Sequence, residues 1–286
     1  MTEQLPPTID PVAAARWQAQ APQQAPWLHE EVARRMHERL SWIVRPPGIW
    51  CDWDPLRGGT EGHALVAQHF PQAECLVAET SSPTGQALAR KRFTPSLWER
   101  LRGAQVRFGM PQPGSVQMLW ANMALHMAAN PQALIGRWSE AIAADGYLMF
   151  SCLGPDTLRE LRAVYDALGW PAPGHAFTDM HDWGDMLVRG GFAEPVMDME
   201  RIVLTFATPE RALQELRELG RNLHVARFAG LRGRHWRAQL LQAMAERLAD
   251  PAQGGQLALT FEIVYGHAFK APPRAPLSIT RSAPAR

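Results

Sequence analysis

The sequence lacks the features by which several protein classes are recognised. Its 286 residues carry 29 basic and 28 acidic side chains, for a formal net charge of +1, so no general attraction to nucleic acid or anionic lipid is expected. No apolar run reaches the roughly 18 residues that a membrane helix needs. The amino-terminal segment also lacks the basic-then-apolar pattern of a secretory signal. We therefore expect a cytoplasmic protein without nucleic-acid or membrane partners.

Cysteine is scarce as well. The chain has three cysteines, far apart and each within an apolar run: Cys51, Cys75 and Cys152. This pattern indicates buried, reduced thiols and argues against a disulfide framework. His175, His181 and Asp182 lie close together in the sequence, but the H-x5-H-D spacing matches no recognised set of metal ligands. No metal site is expected.

What the sequence does contain is an alternation of amphipathic helices and short apolar strands. In the segment 29–44, Val32, Met36 and Leu40 recur every four residues, which predicts a helix. Strands are predicted at 48–53, 73–79, 116–122, 146–154, 199–206 and 257–270. Such alternation predicts a mostly parallel sheet covered on both faces, with an antiparallel edge at the end of the chain.

The first two predicted strands end at acidic residues, where ligands bind in open α/β sheets. Asp52 closes the first strand, and Gly58, Gly59 and Gly62 follow it. Glu79 closes the second strand, 79 − 58 = 21 residues after Gly58. A carboxylate at that distance from a glycine turn is suited to hold the two hydroxyls of a ribose. The plainer alternative is a solvated glutamate at a strand end.

The glycine stretch itself, "DWDPLRGGTEG", departs from a phosphate-binding loop. Such a loop presents backbone N–H groups to an anion, whereas Pro55 has no N–H and Asp54 adds negative charge. Both features disfavour a pyrophosphate. They are compatible with a zwitterionic ligand, because an ammonium group can pair with a carboxylate.

Four stretches carry a resemblance to a known family: "WANMALHM" (120–127), "GYLMFSCLGPDTLRELR" (146–162), "FTDMHDWGDMLVRGGFAEPVMDME" (177–200) and "FEIVYGHAFK" (261–270). The chain resembles the malonyl-acyl-carrier-protein O-methyltransferases of biotin synthesis, which are class I S-adenosylmethionine-dependent methyltransferases. The resemblance implies a Rossmann-like, seven-stranded α/β sheet in residues 29–270, with 208–250 inserted as an Arg-rich helical cap. Because proline clusters at both ends of the chain, a poorly ordered amino-terminal arm (1–28) and a disordered tail (271–286) are expected around it.

The same resemblance implies S-adenosylmethionine as cofactor and an acyl carrier protein, or another acidic protein, as partner. The residues it assigns to the cofactor are Asp52, Gly58, Gly59, Glu79, Asn122 and Met123. Of these, Asn122 and Met123 would lie next to the reacting methyl group. His126 stands where the family usually has a histidine or glutamine and is the candidate catalytic residue. The arginine that would hold the substrate carboxylate stays open among Arg159, Arg162 and those of the cap.

Departures from the family pattern concentrate in the cofactor loop. The family's first motif is D-x-G-x-G-x-G, so Asp54 falls in the first glycine position and Leu56–Arg57 are extra residues. Gln117 stands where the fourth strand usually has an acid, and Gln24 where a tyrosine is usual. Two alternatives therefore stay open. One is a catalytically inactive methyltransferase fold with a binding or regulatory role. The other is a relative of the complex I assembly factor that hydroxylates a protein arginine, which the same residues also resemble.

Overall fold

The computed structural model describes residues 9–228 and 230–271, and within these ranges eight strands form one sheet. The expectation of a disordered tail concerns residues that, apart from Ala271, lie outside this part of the chain. The strands are β1 (Ile49–Trp53), β2 (Glu74–Ala78), β3 (Gln105–Phe108), β4 (Val116–Ala121), β5 (Ile142–Leu153), β6 (Phe192–Phe206), β7 (Ala249–Asp250) and β8 (Gln256–Lys270).

The strand order across the sheet is β3-β2-β1-β4-β5-β8-β6, and β7 pairs with β8. Strands β1 to β5 run parallel, whereas β8 is antiparallel to both β5 and β6. The predicted mostly parallel sheet with an antiparallel edge is thus confirmed. The strand count is one higher than predicted because the two-residue β7 adds to the seven main strands.

Eleven α-helices flank the sheet in the described residues. They are α1 (Pro11–Gln18), α2 (Trp27–Glu38), α3 (Pro55–Gly58), α4 (Thr60–His69), α5 (Pro83–Phe93), α6 (Leu97–Leu101), α7 (Pro131–Ala141), α8 (Arg159–Ala167), α9 (Met180–Arg189), α10 (Pro209–Leu219) and α11 (Arg234–Arg247). Short 3-10 turns occupy Arg39–Trp42, Leu125–Met127 and Pro251–Gln253. None of the described helices is long and apolar enough to cross a bilayer.

Alternation along β1 divides the core into two layers, as the period of two along a strand requires. Trp50 packs with Val32 of α2 and Val66 of α4 on one face of the sheet. Cys51 and Trp53 point to the other face, where they join a cluster with residues of α7 and α9. The carboxyl ends of β1, β2 and β4 meet at one edge, which is where the candidate site lies.

The amino-terminal segment differs from the expectation of a poorly ordered arm. Residues 11–18 form α1, whose first turn is capped by Asp10, with the side chain accepting from the N–H of Val12 at 2.8 Å. Trp17 is buried, and Asp10 forms an ion pair with Arg227 at 2.7 Å. We call residues 9–25 the N-terminal strap. Over residues 9–28 the structure contradicts the prediction, because a capped helix and tertiary contacts outweigh the proline-rich composition, and residues 1–8 lie outside the part of the chain that the structure describes.

The Arg-rich segment 208–250 is helical only in part. Helices α10 and α11 are separated by residues 220–228 and 230–233, which are irregular where a continuous helical region was predicted. Gly220, Gly230 and Gly233 lie in this interval, and glycine has low helix propensity. The strand β3 and the short helix α6 were not predicted at all.

Packing between α2 and α4 leaves no room for a side chain at Gly62. A Cβ atom there would lie 2.5 Å from the Cβ of Ala33. We expect Gly62→Ala to lower the free energy of unfolding by about 1–3 kcal/mol, because overpacking forces the helices apart. Urea unfolding measures this change. Gly136→Ala in α7 is the matched control, since nothing lies within 4 Å of its added Cβ and alanine favours a helix. Equal stability of the two variants would contradict the packing argument.

Candidate functional site

The candidate site is built where β1, β2 and β4 end. Asp54 follows β1, Glu79 and Thr80 follow β2, and Asn122 follows β4. In the order β3-β2-β1-β4-β5, the direction in which strands are added to the sheet switches between β1 and β4, and this switch point is the ligand-binding position of an open α/β sheet. The strand ends therefore bring most of the predicted residues together, and their individual contacts decide what each can do.

Asp52 is turned into the core and away from this edge. Its carboxylate is buried and lies 2.8 Å from Nδ1 of His63 on α4. Burial raises the pKa of Asp52, and the hydrogen bond to His63 opposes that rise. The ring of His63 packs 4.5 Å from that of Phe93. The pair thus fixes α4 and α5 against β1, and we assign Asp52 a structural role in place of the predicted cofactor contact.

Asp54 occupies the first glycine position of the family motif and keeps the backbone conformation that glycine favours there. Its φ of 53° and ψ of 50° lie in the left-handed region, which aspartate tolerates better than most residues. The carboxylate accepts from Thr80, at 2.7 Å from the backbone N–H and 2.9 Å from the hydroxyl. Burial, together with the neighbouring charge of Glu79, raises the pKa of Asp54 to about 7.

Glu79 sits at the end of β2, as the sequence predicts. One carboxylate oxygen accepts from the N–H of Ser81 at 3.3 Å, and the other, Oε2, is buried without a hydrogen-bond partner. An unpaired buried acceptor costs about 1–3 kcal/mol. Such a group is suited to accept from a ligand hydroxyl, which would remove that cost.

The glycine stretch forms packing contacts in place of an open cradle. Pro55–Gly58 make one helical turn, and Gly59, with φ of 133°, leads into α4. The carboxylate of Glu30 on α2 accepts from the first N–H groups of α4, at 2.7 Å from Thr60, 3.0 Å from Glu61 and 3.2 Å from Gly62. A helix amino terminus attracts anions, and here the chain's own carboxylate fills that position. Gly58 and Gly59 do not present free N–H groups either, because they donate to the carbonyl oxygens of Asp54 at 2.8 Å and Pro55 at 3.0 Å.

Arg57, one of the two extra loop residues, lies between the loop and the strap. Its Nη2 donates to the carbonyl oxygens of Gln20 at 2.5 Å and Trp17 at 3.2 Å. Its guanidinium also stacks 4.0 Å from the centroid of the Trp17 ring. The backbone carbonyl of Arg57 accepts from Nδ1 of His29 at 2.8 Å.

Asn122 and Met123 form a tight junction after β4. The Asn122 amide nitrogen donates to the carbonyls of His29, at 2.8 Å, and of Gly58, while its oxygen accepts from Ser151 at 2.6 Å. Met123 is buried and adopts a φ of 55°, which is uncommon for a residue with a side chain. The Asn122 side chain is thus occupied by the protein itself, although the junction lies in the predicted place.

A cavity of about 250 Å³ opens between these elements. This is below the roughly 300–1,000 Å³ of typical ligand pockets. Trp17 and Gln18 of the strap form part of its wall, and Glu79 is not among its lining residues. The lining also includes Trp53, Asp54, Arg57, Asn122, Met123, Met127, Asn130 and Arg137. In this conformation the cavity and the free oxygen of Glu79 are therefore separated.

A second and more apolar cavity, the cap chamber, measures about 480 Å³ and lies beneath α10 and α11. His126 and Met127 line it, and Met127 also lines the first cavity, so the two share a wall. His126 is buried, its Nδ1 has no partner, and burial lowers the pKa of His126 well below its usual range. His126 therefore presents a neutral imidazole at this wall, and its catalytic role stays a prediction.

Four arginines line the cap chamber, and among the residues that the structure describes no carboxylate lines it. The four are Arg217, Arg221, Arg232 and Arg237. Arg232 lies 4.5 Å from the ring centroid of Trp236 and 4.7 Å from that of Phe228. By contrast, Arg162 donates to the carbonyls of Thr157 and Pro155, and Arg159 pairs with Glu160 at 3.1 Å. Of the candidates left open, the cap arginines face the chamber, whereas Arg159 and Arg162 make local contacts.

Two residues that depart from the family pattern lie away from the cavity. Gln117 uses its Oε1 to accept from the N–H of Ile49 at 2.7 Å, near the start of β1. Gln24 lines surface grooves next to α2. The residues that sequence reasoning missed are Glu30, Thr80 and Trp17. None belongs to a recognisable motif, because each acts through a long-range contact.

The raised pKa of Asp54 makes a specific contribution to the pH dependence of stability. The folded value of about 7 exceeds the roughly 3.9 of an unfolded aspartate, so the folded state binds this proton more tightly. The contribution of Asp54 to the free energy of unfolding is fully present below about pH 3.9 and is lost as the pH rises towards 7. We expect the stability of Asp54→Asn relative to wild type to rise between about pH 4 and pH 7 and to level off above pH 7. Urea unfolding at several pH values measures the difference, with exposed Asp166→Asn as control. A constant difference for Asp54→Asn would refute the assignment.

Comparison with known proteins places the chain in a family. It is 36% identical over 252 residues to a malonyl-[acyl-carrier protein] O-methyltransferase of Laribacter hongkongensis, covering 85% of this chain and 82% of the relative. It is 35% identical over 256 residues to the protein of that name in Gallionella capsiferriformans, covering 86% and 85%. No family model matches the sequence.

Solved structures agree on the fold. The YcgJ protein of Bacillus subtilis superposes with a TM-score of 0.53 at 10% identity, covering 85% of this chain and 99% of that one. A putative methyltransferase of Bacillus halodurans gives 0.50 at 15% identity, covering 82% and 99%. Together with the sheet order and the strand-end acids, the sequence relatives lead to one conclusion: the chain belongs to the malonyl-[acyl-carrier protein] O-methyltransferases.

Proposed function

We propose that the chain transfers a methyl group from S-adenosylmethionine to the free carboxylate of a malonyl thioester carried by an acyl carrier protein, a step of biotin synthesis. The observation that carries the proposal is Glu79, which places a buried, unpartnered carboxylate oxygen at the end of β2. The names of the relatives support the substrate.

The cofactor fits one part of the site and conflicts with another. Glu79 would hold the ribose hydroxyls, and Trp53 and Met123 offer apolar walls in the first cavity. When bound, S-adenosylmethionine supplies an electrophilic methyl group on a sulfonium. The loop end of the site is occupied by Glu30 and Arg57 in the conformation described. Binding therefore requires these groups to move.

Methyl transfer to a carboxylate requires little general acid–base catalysis. A malonyl carboxylate is already ionised at neutral pH, so the protein has to position it and exclude water. His126 is neutral because of burial, and a neutral imidazole N–H can donate to a carboxylate oxygen without adding charge. We assign His126 a positioning role at the wall that the two cavities share.

The cap chamber is suited to the uncharged part of the substrate. Leu153, Leu161 and Phe261 give it an apolar lining, and the arginines lie around them. An acidic carrier protein would be attracted by that positive charge, since complementary charge accelerates encounter. This combination favours an anionic carrier with a long, uncharged arm.

The cofactor assignment is tested with Glu79→Gln. The amide keeps the shape but loses the charge and one acceptor, so we expect at least a tenfold weaker binding of S-adenosylhomocysteine, or about 1.4 kcal/mol. Calorimetric titration measures it, with Glu61→Gln, exposed in the first turn of α4, as control.

Wild-type protein should form an ester from malonyl-carrier and none from acetyl-carrier, which lacks the carboxylate. If the wild type shows no binding of S-adenosylhomocysteine up to millimolar concentration, the non-catalytic alternative is favoured.

The role of the cap arginines is tested by Arg217→Ala combined with Arg221→Ala. We expect KM for the malonyl-carrier substrate to rise about fivefold or more at low ionic strength, with kcat changed little, because the lost charges act on encounter. Steady-state kinetics at two salt concentrations measures this. Arg211→Ala on α10 is the control, since its side chain contacts Gln214 and does not line the chamber. An unchanged KM would rule out this surface as the carrier site.

A further inference from the structure

We propose that Arg57 is a latch that holds the N-terminal strap closed over the cofactor pocket and competes with the cationic end of the cofactor. The inference rests on the proposed function for the identity of the ligand. The contacts of Arg57 and of the strap support it independently.

The strap crosses the loops that follow β1 and β2. Gln18 donates to the hydroxyl of Thr80 at 2.7 Å, and the N–H of Ser82 donates to the carbonyl of Ala19 at 3.3 Å. Arg57 joins the same segment to the loop after β1 through Trp17 and Gln20. Because Trp17 and Gln18 also line the first cavity, the strap forms a wall that a ligand has to pass or displace.

The outer end of the strap is tied to the cap. The N–H of Asp10 donates to the carbonyl of Leu223 at 2.8 Å, and its carboxylate pairs with Arg227. Opening the strap would thus release both the cofactor loop and residues that border the cap chamber. One movement would expose both cavities.

The positive charge of Arg57 also makes it a competitor of a cationic ligand. Burial lowers the pKa of Arg57, whereas the charges of Asp54 and Glu79 oppose that change by stabilising the guanidinium and Arg221 of the cap adds to it. A ligand with a sulfonium or ammonium group presents the same sign of charge to these two carboxylates. The guanidinium and such a ligand therefore compete for the negative charge of these two carboxylates.

This device depends on the departure of the loop from the family pattern. Leu56 and Arg57 are the extra residues, and Leu56 is fully buried, which anchors the turn Pro55–Gly58. With the turn fixed, Arg57 is held beneath the strap. A plain glycine loop would bring no side chain to this position.

The test compares Arg57→Met with Arg57→Lys and with Arg92→Met. Methionine keeps an unbranched side chain without charge, whereas lysine keeps the charge but not the planar fork of donors. Arg92 donates to the carbonyl of Gln23 at 2.7 Å and so contacts the same strap without lining the cavity. Hydrogen exchange of the α1 amides reports on the strap. Calorimetry with S-adenosylhomocysteine and with S-adenosylmethionine reports on the pocket.

We expect Arg57→Met to speed exchange in α1 about tenfold or more and to tighten binding of S-adenosylmethionine by a similar factor, about 1.4 kcal/mol. Arg57→Lys should speed exchange with a smaller gain in affinity, and Arg92→Met should do neither. Unchanged exchange in both Arg57 variants overturns the latch. Faster exchange with unchanged, measurable affinity overturns the competition. Faster exchange while no protein, wild type included, binds either ligand supports the latch and shows that the proposed function is wrong.

Discussion

The carboxylate of Glu30 at the amino end of α4 is the contact on which the carboxyl edge of the sheet depends. It satisfies backbone donors that would otherwise lack partners at the start of the helix. In doing so it draws α2 onto the glycine stretch, where Gly62 has to stay without a side chain. The amide of Asn122 joins the same helix and loop to the end of β4. The glycines that look like a ligand cradle in the sequence thus serve to pack two helices together.

The site is consequently divided into a polar part and an apolar part. The polar part lies where β1, β2 and β4 end and contains the carboxylate of Asp54, which accepts from Thr80 through both oxygens, and that of Glu79, which has one oxygen without a partner. The apolar part lies under the cap and carries positive charge at its border. His126 and Met127 stand between the two, so the reacting groups of donor and acceptor would meet at a wall made by the 3-10 turn after β4.

Much of this arrangement follows from the sequence because it depends on local signals. The period of α2, the apolar runs of the main strands and the strand-end position of Glu79 are all readable from neighbouring residues. What could not be predicted depends on partners distant in the chain. Asp52 looks like a ligand-binding acid until His63 is seen beside it, and the N-terminal strap looks unstructured until its contacts with the cap are known. The edge strand β3 is short and only partly buried, so it lacks the apolar pattern that identifies its neighbours.

The position of Arg57 has a consequence for how affinity would be set. A group on the same chain competes at a fixed effective concentration, on the order of millimolar for short flexible tethers, whatever the amount of protein present. The dissociation constant observed for an external ligand is then the intrinsic constant divided by the fraction of molecules that are open. Substitutions at the outer end of the strap, such as at Asp10, which does not line the cavity, would therefore tune the cofactor concentration at which half of the molecules are filled.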